Sequence, residues 1–130
     1  MEFILELSQE LLLSIKVRTK MTTLRKWLDK FTETYETPLT IKIGGESSWG
    51  SYNLETWYKV PVGYFGDFKD CPSEILDNEF NDGYGAPGCP GIYAWSENWV
   101  FAISTYDGST DWFALPRFPI DVEPIMPGGG

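Results

Sequence analysis

The chain has 130 residues, within the range of one domain, and its 42% hydrophobic and 16% aromatic content, including six Trp, is too apolar for a disordered acidic tail. Ten basic residues stand against 19 acidic ones, a net charge of −9, and no histidine titrates near neutral pH. A field of that sign repels nucleic-acid phosphates and anionic membranes, so direct binding of either is not expected, and it attracts basic protein surfaces.

Residues 1–20 alternate in two runs, Phe3, Leu5, Leu7 and then Leu11, Leu13, Ile15, Val17. Period two predicts a pair of strands turning at Ser8-Gln9-Glu10, with a helix over residues 4–14 as the competing reading because Leu, Glu and Gln favour helices. Thr22 and Thr23 precede an apolar stripe of Leu24, Trp27, Leu28, Phe31 and Tyr35 at i, i+3, i+4, i+7 and i+11. This predicts an amphipathic helix over about residues 22–36, ended by Thr37-Pro38 and packed on a sheet. Leu39, Ile41 and Ile43 then alternate with Thr40 and Lys42 as a short strand closed by Gly44-Gly45, and residues 49–60, rich in Trp, Tyr and Thr, predict another strand ending before Pro61. Between Pro61 and Pro90 the composition shifts to Gly, Pro, Asp and Asn, which predicts a long irregular segment. A meander follows: residues 92–96, 99–105 and 112–115, with turns at Glu97-Asn98 and at Asp107-Gly108, the second a strong hairpin signal. The fold class expected is α+β, a mostly antiparallel sheet with one packed helix and a C-terminal β-meander. Residues 1–125 form one domain in this reading, and residues 126–130 a flexible Gly-rich tail.

The charge is unevenly placed. Residues 1–60 balance, whereas residues 61–130 carry only Lys69 and Arg117 against eleven acids, so that half holds the whole net charge of −9. The acids either dock on a basic partner or only keep an aromatic-rich protein soluble. Asp77 to Gly83 resembles the start of a calcium loop, but the sixth and twelfth positions counted from Asp77 are Asp82 and Gly88, where an EF-hand needs Gly and Glu. No metal site is therefore expected. Gly83, Gly85, Gly88 and Gly91 do not make a phosphate loop, because no Lys-Ser/Thr follows them. The absence of histidine removes Ser-His, Cys-His and His-metal catalysis, leaving only carboxylates, so the chain is expected to be no enzyme and to use no cofactor. Cys71 and Cys89 are too few for a disulfide framework. With no signal-peptide pattern and no apolar run of membrane length, both thiols are expected free in the cytosol. Trp27, Trp95 and Trp99 sit on periodic elements and are expected in the core, whereas Trp49, Tyr64 and Tyr84 lie among glycines and suit the surface.

Phe80-Asn81-Asp82-Gly83-Tyr84-Gly85, Tyr93-Ala94-Trp95-Ser96-Glu97, Tyr106-Asp107-Gly108-Ser109 and Pro116-Arg117-Phe118-Pro119, with a Gly-rich end, resemble a set of uncharacterised small acidic phage and mobile-element proteins, a likeness that implies no particular activity or site. That resemblance implies a phage-encoded protein in the host cytosol. Hairpin, helix and terminal Gly-Gly are in turn similar to ubiquitin-like β-grasp modifiers, which implies conjugation through Gly130. The leading expectation is a non-enzymatic inhibitor or decoy occupying a basic, nucleic-acid-binding surface of a host defence protein. Asp77, Glu79, Asp82, Asp107 and Asp111 would supply charge, and Tyr84 and Tyr106 aromatic anchors. The alternative is a small-ligand module built from the aromatic Gly/Pro segment.

Overall fold

The computed structural model describes residues 21–45, 63–83, 89–106 and 109–127. The two runs expected within residues 1–20, the strand expected over residues 49–60 and the terminal glycines 128–130 lie outside them. The described residues form an α+β fold. In chain order the elements are β1 (Met21–Thr22), α1 (Leu24–Thr34), β2 (Thr40–Ile43), β3 (Tyr64–Asp67), a 3-10 turn (Phe68–Asp70), α2 (Ser73–Leu76), β4 (Phe80–Asn81), β5 (Ile92–Trp95), β6 (Trp99–Tyr106) and β7 (Ser109–Pro116).

Helix α1 starts where the sequence supplies a cap. Thr23 stays extended, and its Oγ1 accepts a hydrogen bond from the Lys26 N–H at 3.2 Å, satisfying a donor that the first turn leaves without a carbonyl. The stripe Leu24, Trp27, Leu28 and Phe31 is buried, and α1 lies with it against one face of the sheet. The sheet has the order β3-β2-β5-β6-β7, antiparallel throughout. Ile41, Ile43, Ile92, Ala94, Phe101 and Ala114 supply its half of the core. Phe31 sits at the centre, edge-on to Phe101 at 5.7 Å and to Trp112 at 6.1 Å between ring centroids. Burial of such a side chain stabilises by about 1.5–3 kcal/mol, before the gain from ring geometry. A two-stranded ribbon of β1 and β4 extends the same layer, with Trp27 against Phe80 at 5.0 Å, and Ile75 and Leu76 of α2 are buried beside it.

The end of α1 is tied to the β5–β6 turn through Glu36. Its carboxylate accepts from the Ser96 hydroxyl at 2.7 Å, the Asn98 N–H at 2.9 Å and the Asn98 Nδ2 at 2.8 Å. These bonds hold the Glu36 carboxyl below the usual carboxylate range, the Ser96 hydroxyl contributing most.

β6 and β7 pair over their full length, from Trp99 opposite Pro116 to Tyr106 opposite Ser109, across the two-residue link at 107–108. The Arg117 N–H donates to the Asn98 carbonyl, so by the antiparallel alternation the even-numbered residues of β7 turn their backbone groups outward. The outward N–H of Thr110 donates to the Asp82 carbonyl at 2.9 Å, that of Trp112 to Asp111 Oδ1 at 2.8 Å, and Pro116 has none.

Two expectations are corrected. The segment between Pro61 and Pro90 is not irregular throughout: its described part holds β3, the 3-10 turn, α2 and β4. These were hidden because β3 contains Gly66, at φ 157° with Tyr64 folded over it, and because four-residue α2 is too short to show a period. Trp95 is not a core residue of the helix-covered layer. Ile92 and Ala94 take that face of β5, and pleating sends Tyr93 and Trp95 to the opposite face.

Candidate functional site

The acidic and aromatic residues singled out in the sequence do not converge on one patch. Asp77, just past α2, pairs with the Arg25 guanidinium of α1, Nε to Oδ1 at 2.5 Å, and thereby joins the two helices. That bond, with the negative carboxylate beside it, raises the Arg25 pKa further. Glu79 is exposed ahead of β4. Asp82 is half-buried, and its carbonyl accepts from the Thr110 N–H and the Ser109 hydroxyl, so it meets the start of β7. Asp111 is exposed on β7, one oxygen already bonded to the Trp112 N–H. Tyr106 closes β6 opposite Ser109, while its side chain, Tyr84 and Asp107 lie outside the described residues. The structure thus brings Asp82, Ser109 and Asp111 to one end of the β6–β7 hairpin and leaves Asp77 and Glu79 elsewhere.

A different surface emerges on the sheet face away from α1. Cross-strand register aligns two rows on it. One runs Phe65, Lys42, Tyr93 across β3, β2 and β5. The other runs Asp67, Thr40, Trp95, Val100, Leu115 across all five strands. Phe65 is 68% exposed, Tyr93 56% and Leu115 42%, values far above those of the covered face. Lys42 Nζ lies over the Phe65 ring at 5.9 Å from its centroid, and the rings of Tyr93 and Trp95 are 6.1 Å apart. Beside the second row, Pro38, Leu39, Thr40, Asp67 and Lys69 border a shallow depression of about 370 Å³. Lys69 forms no ion pair with Asp67, whose carboxylate has no salt-bridge partner among the described residues.

Sequence reasoning missed this face. The signal was present in Ile92-Tyr93-Ala94-Trp95, where both alternating sets are apolar, a pattern that calls for something to meet each face.

The thiols offer no reactive centre. Cys71 and Cys89 are both free and buried, and burial pushes their pKa values up to about 11 and about 12, far from the thiolate needed for chemistry. Among the described residues, no helix is long and apolar enough to cross a membrane. Comparison of the chain with protein-family models, with curated proteins and with solved structures finds no match.

Proposed function

We propose that this chain is a non-enzymatic acidic binding protein whose partner is a basic surface of another protein. The observation that carries this reading is where the acids stand. Of the ten described acids between residues 61 and 130, nine are exposed and Asp82 is half-buried; among those nine exposed acids, Asp77 is the one whose ion pair is with another described residue, Arg25. A fold that used these charges internally would pair them; left in solvent, they set up a field that steers a cationic partner and repels polyanions. A surface evolved to hold nucleic acid is the cationic surface such a field fits best. The resemblance of residues 80–119 to uncharacterised small phage and mobile-element proteins, which implies no activity of its own, favours a phage origin, and for a phage protein the reading becomes an inhibitor that blocks such a surface on a host defence protein.

The test is capture on the immobilised full chain at low and at high salt. Nucleic-acid-binding proteins of high pI are expected to be retained at low salt and released at high salt. The variant carrying Glu74→Lys, Glu79→Lys and Glu97→Lys, three exposed positions with no structural partner in the described fold, is expected to lose that retention. Retention indifferent to both salt and charge reversal would overturn the proposal.

A further inference from the structure

We propose that the Asp67, Thr40, Trp95 row on the sheet face away from α1 is a slot for an arginine side chain of the partner. This deepens the reading above and rests on it, by naming the face that docks and the residue type it takes. The three residues are in register on adjacent strands β3, β2 and β5, so Asp67 and Trp95 stand two strand spacings apart, roughly 10 Å between backbones. Thr40 between them is short, leaving a gap walled by a carboxylate on one side and an indole on the other. A depression lined by Pro38, Leu39, Thr40 and Asp67 adjoins the Asp67 side of this gap.

The chemistry of those walls selects the occupant. A guanidinium is planar, stacks on an indole and offers paired N–H donors to a carboxylate, whereas an ammonium satisfies only the charge. The fold already shows that its exposed rings hold cations. Lys42 lies over Phe65, and the Arg117 guanidinium lies 5.4 Å from the Phe118 ring centroid. Among the described residues, none places a cation over Trp95. Asp67 likewise lacks a salt bridge with any described residue, although Lys69 lines the same depression. A carboxylate and an indole that no described cation pairs with, in a half-chain of net charge −9, are complementary to an arginine-rich surface.

The experiment is calorimetric titration of the full chain at low salt with an oligo-arginine and an oligo-lysine peptide of equal length. The arginine peptide is expected to bind about tenfold more tightly. D67N and T40F, the second filling the gap without touching charge, are each expected to abolish that preference, while E79Q removes one charge and preserves it. Thermal melts confirm that each variant folds. Equal affinity for the two peptides, or a preference that survives both D67N and T40F, overturns the slot and leaves the acidic-binder reading standing. Absence of binding to either peptide at low salt overturns both.

Discussion

Glu36 illustrates how much one side chain can organise. It lies just beyond the end of α1, yet its carboxylate gathers a hydroxyl, a backbone N–H and a side-chain amide from the β5–β6 turn sixty residues away. Because its folded pKa is depressed, its contribution is fully present above the ordinary carboxylate pKa and is lost as pH falls through the folded value. E36Q should therefore melt at a lower temperature than the wild type at pH 7, and the two melting curves should converge in acid, as circular dichroism across a pH series would show. A gap that persists at the acid end would mean that shape rather than charge holds the turn. At the same scale, Gly63 was legible in sequence only as a loop glycine. In the fold a Cβ there would stand 2.5 Å from the Ile43 carbonyl oxygen, so the residue is fixed by a close backbone approach that no local pattern announces.

At the scale of elements, legibility follows how local the determining contacts are. The stripe of α1 and the alternation of β2, β5, β6 and β7 are written within each segment, and the structure places elements there. β3 is not, since Tyr64-Phe65-Gly66-Asp67 becomes a strand by pairing with β2 and carries little β pattern of its own. The same reasoning explains the candidate face. Asp67, Thr40 and Trp95 are far apart in sequence and meet only through the order β3-β2-β5, which the alternation of single strands cannot supply. Stability at this scale centres on α1 against the sheet. F31A removes a fully buried ring that touches Phe101 and Trp112, and it should cost about 3–5 kcal/mol by urea denaturation, a large share of the total for a domain of this size. A loss below about 1 kcal/mol would place the core elsewhere.

At the scale of the whole molecule, the charge asymmetry read from sequence acquires a map. The described acids of residues 61–130 are exposed except half-buried Asp82, and Asp77 is committed to Arg25 and the Asp82 carbonyl to the start of β7, so the loop residues first proposed as contacts are partly structural. Excess like charge also strains the folded chain, and added salt should relieve it. The melting temperature is expected to rise with sodium chloride over the range in which the Debye length falls from tens of ångströms to a few, and a flat or falling trend would show that the acids are neutralised within the fold. One detail of β7 bears on how any of this is tested. Its outer edge is chemically capped: Asp82 takes the Thr110 donor, Asp111 takes its neighbour's, and Pro116 brings none, which leaves Ala114 as the outward position whose N–H has no hydrogen-bond partner among the described residues. Replacing Asp111 by Ala or Lys to probe binding would uncap the Trp112 donor two residues from Ala114, and the variant should run as oligomers in size-exclusion chromatography. An acid that looks like a contact would then reveal itself as a gatekeeper against fibril-like growth, and affinity lost on its removal would measure aggregation instead of recognition.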